Sequence, residues 1–497
     1  MKTKITVVKE FKVGKVEDTL FSSFIEHLGR AVYTGIYEPG HPKADEQGFR
    51  KDVIEMVKDL NVALVRYPGG NFLSGYNWKD GIGPRENRPV RLDRAWHTIE
   101  PNKIGIDEFY DWSVKAGTKI MGAVNMGTGT VQEAGDLVEY ANYPGGTYWS
   151  DLRRKNGHEK PFAIDTWCVG NEMDGGWQIG HMDADEYGKK AREAAKLMKW
   201  TDDSIKIVVC GSASTSMPTY PSWDRTILEH TYDFADYISI HRYFENFGND
   251  DDFLASFYDM DQFIKTSIAT CDYVKALKRG KKDINLSFDE WNIWYQQKQE
   301  PHPWMEAPRI LEDHYSLLDA LAFGGMAITL LNHADRVKVA CLAQLVNVIA
   351  PIFTEPGKGA YRQSIYWPFK DISVYGRGTA LQPVVHSENK VTEKYGEVPA
   401  VIFASILSED ESELSIFALN TSKTDVSETE LSLMSFGDSK MIFRTELCGS
   451  DLSAKNSLEN PDAVKPREVP VVQGEKGTYT VNLKPASWNV MRFKFEK

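Results

Sequence analysis

Cysteine is scarce in this chain of 497 residues: Cys168, Cys210, Cys271, Cys341 and Cys448 are odd in number, scattered, and never in a CxxC pair. A disulfide framework or a cysteine zinc site therefore finds no support, and reduced thiols in a cytoplasm are the simplest account. Residues Met1 to Glu10 lack the apolar core of a signal peptide, so export is not indicated. The most hydrophobic region, Leu317 to Phe353, is interrupted by Asn332-His333-Ala334-Asp335-Arg336 and is too broken to span a bilayer. Basic blocks are missing too, and 58 basic against 71 acidic side chains leave a net charge of −13, which argues against nucleic acid and anionic membranes as partners. No P-loop, GxSxG or HExxH occurs, and Gly81-Ile-Gly83 is too short for a dinucleotide fingerprint. None of the 11 histidines shows paired metal spacing, although His27, His97, His241 and His333 lie near strand ends or candidate loops. Neither a cofactor nor a catalytic metal is expected.

What is present is an ordinary globular composition, 42 % apolar and 26 % charged, with 13 Trp and 22 Tyr whose flat faces suit sugar rings. Short apolar runs recur, each followed by a helix-length segment: Leu20 to Ile25, Val62 to Arg66, Lys119 to Val124, Ile164 to Val169, Ile205 to Cys210, Tyr237 to His241, Ile284 to Phe288 and Met326 to Leu331. Between them lie helical periods, such as Val53, Met56, Val57 and Leu60 on one face, and a helix start with Asp183 as N-cap and Glu186 at the capping-box position. Eight alternating units fit an α/β fold, a closed (β/α)8 TIM barrel over residues 17–378, with a doubly wound sheet as the alternative. From about Thr379 the texture changes to strands without helices, including 400–407, 413–419, 479–483 and 488–495. Residues 379–497 are therefore read as a jelly-roll-like all-β sandwich, which the strand within residues 1–16 joins.

In a barrel the residues just past each strand face the active site. Strand four ends Trp167-Cys-Val-Gly-Asn171-Glu172 and strand seven ends Phe288-Asp289-Glu290-Trp291-Asn292. Two carboxyls facing each other across a barrel mouth meet the need of glycoside cleavage, one to protonate the leaving oxygen and one to attack or to activate water.

These two motifs resemble those of the clan A glycoside hydrolases. The match narrows to the α-L-arabinofuranosidases of glycoside hydrolase family 51 through Phe24-Ile-Glu26-His-Leu-Gly-Arg30, Val65-Arg66-Tyr-Pro-Gly-Gly-Asn71-Phe, Gly75-Tyr-Asn-Trp78-Lys-Asp-Gly81, Ser239-Ile-His241-Arg-Tyr243 and the terminal Trp488-Asn-Val-Met-Arg-Phe. The resemblance covers essentially the whole chain. It implies a retaining exo-α-L-arabinofuranosidase releasing terminal arabinofuranosyl groups from fragments of arabinan or arabinoxylan, cytoplasmic and commonly homohexameric. It further implies Glu290 as nucleophile and Glu172 as acid/base, with Asn171 donating to the sugar 2-hydroxyl and Glu26 accepting from furanose hydroxyls. Asn71 and Gln344 are expected to line the pocket, and Trp96 and Trp294 to wall it. His241 or Tyr243 is expected to donate to Glu290, whose charge should raise the pKa of Glu172. Glu26 could instead pair with Arg30 or Arg66. Another clan A activity, an endoglucanase or β-xylosidase, and a non-catalytic carbohydrate-binding barrel stay open beside this reading.

Overall fold

The computed structural model describes residues 1–296 and 302–495. Eight parallel strands close into a barrel in chain order: Ser22–Phe24, Leu64–Tyr67, Lys119–Val124, Thr166–Val169, Lys206–Cys210, Tyr237–Phe244, Asn285–Ile293 and Val337–Ala343. Alternation along each strand divides its side chains between two layers. Leu64, Met121, Cys168, Val208 and Cys341 fill the barrel interior. Val65, Ile120, Trp167, Ile207 and Leu342 face outward into the larger core beneath the helices. Both faces are dry, which is why these strands read as continuous apolar runs.

The intervening helices keep the expected amphipathic logic. Lys51–Asp59 buries Val53, Ile54 and Val57, with Met56 half-buried at the edge. Ala184–Thr201 begins where the Asp183 carboxylate accepts from the Glu186 amide at 2.8 Å.

One barrel element differs from the expectation. Met326–Leu331 is not the eighth strand but part of a helix, Leu317–Asn332, and the strand follows it at Val337–Ala343. This helix is buried from Leu317 to Leu331 because it packs between the barrel and the β-domain. A helix with no exposed face carries no 3.6-residue period, so its run of apolar residues imitates a buried strand.

The all-β part consists of two sheets around their own apolar cluster, which includes Ile5, Leu381, Phe403, Leu431, Val481 and Phe493. One sheet has seven strands, Lys12–Val16, Gly378–Leu381, Val401–Leu407, Glu413–Asn420, Ser487–Phe495, Ser439–Leu447 and Arg467–Glu468 in spatial order. The other has four, Val384–His386, Lys2–Thr6, Ser427–Ser432 and Thr478–Leu483. Residues 2–16 thus supply one strand to each sheet. A separate hairpin, Asn389–Thr392 with Gly396–Pro399, leaves the sandwich and reaches the barrel. Among the described residues no helix is long and apolar enough to cross a membrane.

Candidate active site

Strand four stops at Val169, and the chain then turns sharply. Gly170 takes φ +93° and Glu172 φ +45°, a left-handed conformation that costs a residue with a Cβ atom and recurs at functional sites. The turn presents the Glu172 carboxylate to the barrel mouth. Its Oε1 lies 2.9 Å from His241 Nδ1, and its Oε2 accepts from Trp177 Nε1 at 2.7 Å.

Strands six and seven run side by side with His241 opposite Glu290, after a register shift between Ser239 and His241 that re-aims the strand ends. Both oxygens of Glu290 are held: Arg66 Nη1 donates to Oε1 at 2.6 Å and Tyr243 Oη to Oε2 at 2.7 Å. Arg66 is buried, and its other Nη donates to Asn171 Oδ1 at 2.6 Å, while the buried Asn171 Nδ2 has no partner among the described residues. An unpaired donor in a dry site is costly unless a ligand accepts from it.

His241 joins the two carboxylates. Its Nδ1 is 3.7 Å from Glu290 Oε2, and its Nε2 faces Ser239 Oγ at 3.1 Å and Asp289 Oδ1 at 3.4 Å. Burial favours the neutral ring, but the charge of Glu290 and hydrogen bonds to Asp289 and Glu172 outweigh it and push the imidazole up to about 10. The expectation that Glu172 is raised is therefore corrected. Burial does raise it, but the hydrogen bond and charge of His241, the Trp177 indole and the charge of Arg66 together hold its carboxyl below the ordinary range. Donor atoms of Glu172, His241 and Glu290 all lie within 4.8 Å of one another, a spacing a metal ion could bridge.

These groups border a cavity of about 660 Å³, which Glu26, Asn71, Trp96, Glu172, Tyr243, Glu290, Trp294 and Gln344 all help to line. Asn171 and His241 lie just beneath, 1 % and 2 % exposed. Glu26 pairs with neither Arg30, which bridges to Glu312, nor Arg66. It accepts instead from the Phe72 amide and Trp96 Nε1, both at 2.8 Å, and from Gln344 Nε2 at 3.4 Å. Burial dominates these donors, and with the charges of Glu290 and Asp93 raises Glu26 to about 8. The glycines before Asn71 make room for this carboxylate, since a Cβ on Gly70 would sit 2.4 Å from Glu26 Oε2. Gln344, directly past strand eight, accepts from the Glu26 amide at 2.9 Å, while Asn71 Oδ1 accepts from Gln178. Trp294 packs edge-on to Tyr243 at 5.1 Å, its Nε1 without a partner among the described residues. Of the other histidines, His27 bridges Glu100 and Tyr67 in the core, His97 lies against Trp304, and His333 pairs with Asp261.

Sequence reasoning did not place Arg66, Asp289 or Trp177 in the site. A charged residue inside the apolar strand Leu64-Val-Arg-Tyr67 was the available signal for Arg66; Trp177 sits in a loop that carries no pattern.

Comparison with known proteins gives the family. Residues 56–267 match the family described as "Alpha-L-arabinofuranosidase 1 domain", and residues 289–487 match "Alpha-L-arabinofuranosidase C-terminal domain". The chain is 52 % identical over 497 residues to an intracellular exo-alpha-(1->5)-L-arabinofuranosidase of Bacillus subtilis, covering 99 % of each. It is 46 % identical to an exo-alpha-(1->6)-L-arabinofuranosidase of Bifidobacterium longum, covering 99 % of this chain and 97 % of that one. A solved family 51 α-L-arabinofuranosidase from Bifidobacterium longum superimposes with a TM-score of 0.96 at 44 % identity, over 99 % of both chains. Alike to these proteins in sequence and fold over nearly its whole length, the chain belongs to the α-L-arabinofuranosidases of glycoside hydrolase family 51.

Proposed function

We propose that this enzyme is a retaining, exo-acting α-L-arabinofuranosidase, with Glu290 as nucleophile and Glu172 as acid/base. The observation that carries the reading is the pair itself: carboxylate oxygens of Glu172 and Glu290 within 4.8 Å at the base of one cavity. Retaining glycosidases space their carboxyls ~5 Å apart, whereas inverting ones leave room for water between them.

In the first step a Glu290 oxygen attacks the anomeric carbon while Glu172 gives a proton to the departing oxygen. Glu172 is ionised in the free site, so that proton is drawn from His241 Nδ1 across their hydrogen bond. Arg66 and Tyr243 fix the attacking carboxylate and supply its counter-charge. In the second step Glu172 takes a proton from water, the water attacks the ester, and the proton returns to His241. The idle Asn171 Nδ2 is placed to donate to the sugar 2-hydroxyl, a contact that strengthens as charge develops. Glu26 and Gln344 hold other furanose hydroxyls, Asn71 borders them, and Trp96 and Trp294 wall the ring.

The substrates in this reading are short arabinan or arabinoxylan fragments inside the cell. The Bacillus subtilis relative, more similar than the (1->6)-acting one, supports the α-(1→5) linkage and the intracellular setting. A homohexamer belongs to the same reading through family resemblance. Purified enzyme should hydrolyse 4-nitrophenyl α-L-arabinofuranoside, and a folded Glu290→Gln protein should not, whatever the leaving group. Internal cutting of linear xylan or carboxymethylcellulose without arabinofuranosidase activity would replace this function with an endo-acting one.

A further inference from the structure

The cavity is larger than a single furanose needs, and it does not end at Glu172. Its lining also includes Trp177, Phe247 in the loop after barrel strand six, and Lys394 and Tyr395, which sit at the tip of the sandwich hairpin 389–399. An element outside the barrel thus contributes to the wall of the cavity that holds Glu172.

The hairpin tip is fastened there. The Lys394 amide donates to Asp252 Oδ1 at 3.0 Å, and Asn249 Nδ2 to Glu393 Oε2 at 3.4 Å. Behind the tip, Lys390 and Lys423 pair with Asp251, and Tyr395 packs against Tyr258. The side chains that face the opening are left unspent. Phe247 is 73 % exposed and Trp177 52 %, while the exposed Lys394 ammonium has no carboxylate partner among the described residues and lies 5.0 Å from the Tyr395 ring. Exposed aromatic rings along one cavity, beside a free donor, suit a neutral polyhydroxylated chain. Rings stack on the apolar faces of sugars, and the ammonium donates to hydroxyls.

We propose that Phe247 and the tip of hairpin 389–399 form a distal leaving-group subsite for a linear neutral oligosaccharide, taking the sugar beyond the one next to Glu172. The proposal rests on the roles given to Glu172 and Glu290, which fix the direction of the chain. Through it the sandwich domain sets the chain-length preference of a barrel active site.

The test compares kcat/KM on 4-nitrophenyl α-L-arabinofuranoside and on linear α-1,5-linked arabinobiose and arabinotriose, for the wild type, Phe247→Ala and Lys394→Ala. Both side chains are exposed, so neither change removes core packing. The wild type should prefer the triose to the biose. In Phe247→Ala that preference should fall roughly three- to tenfold, the range of one aromatic contact, and Lys394→Ala should lower it in the same direction. A wild type with no preference for the triose, or variants with an unaltered triose-to-biose ratio, would overturn the subsite while leaving the function intact. Failure of the wild type on the aryl glycoside would instead overturn the function.

Discussion

His241 is tied to both carboxylates and to Asp289 beneath them, so in the proposed mechanism the proton belongs to a cluster and not to Glu172 alone. Replacing His241 with Asn keeps a donor and removes the titrating proton. The basic limb of the kcat/KM profile should then move toward acid, because Glu172 must hold the proton unaided; an unmoved limb would deny His241 this role. Glu172→Ala should slow cleavage of natural oligosaccharides by ~10²–10⁴-fold, the usual worth of general acid catalysis. A dinitrophenyl glycoside, whose leaving group departs without a proton, should still give a burst, with azide restoring turnover. Equal losses on both substrates without rescue would remove Glu172 from the acid/base position. Both glutamates were legible in the sequence because each stands beside polar neighbours at the end of an apolar strand. The charge state of Glu172 was not, since it depends on a histidine 69 positions away.

At the scale of elements, the turn after strand two and the hairpin Arg91–Asp93 with Thr98–Glu100 close around Glu26, the first through Phe72 and Gly70 and the second through Trp96. A methyl group at Gly70 would meet the Glu26 carboxylate, whose donors hold it in place. Gly70→Ala should therefore lower kcat/KM ~10-fold or more, as a misplaced positioning group does, with a melting temperature near that of the wild type. Full activity would show that Glu26 yields without consequence. Seven of the eight barrel strands were legible as apolar runs at regular spacing. The eighth was not, because Leu317–Asn332 is buried all round and shows neither period. The true strand, Val337–Ala343, lies beyond the polar break at 332–336, which separates it from the helix whose apolar run was read in its place.

The whole molecule buries many carboxyls for a chain of net charge −13. Burial raises Glu26 to about 8, Asp224 and Asp371 to about 7, and Asp93, Asp107 and Asp174 to about 6. Each binds its proton more tightly when folded. Its stabilising contribution is complete below the ordinary carboxylate range and is lost as pH rises through the raised value. His241, raised to about 10, acts in the same direction above its ordinary value. The melting temperature should therefore peak near pH ~5 and fall steadily toward pH ~9. Asp371 accepts from Trp488 Nε1 at 2.8 Å, linking barrel helix Tyr366–Tyr375 to the last sandwich strand. Asp371→Asn should flatten the fall between pH ~6 and ~8, and a wild-type melting curve flat or rising over that range would contradict these assignments.

In the proposed mechanism the chemistry reduces to two displacements at one carbon, carried out by two carboxylates with an oxygen of each within 4.8 Å of the other. Proton NMR of the first arabinose released, recorded before mutarotation, reports their outcome in a single spectrum. Two inversions return the α-anomer of the substrate, which is the expected signal. First-formed β-arabinose would mean that water attacks directly, and Glu290 would not be the nucleophile.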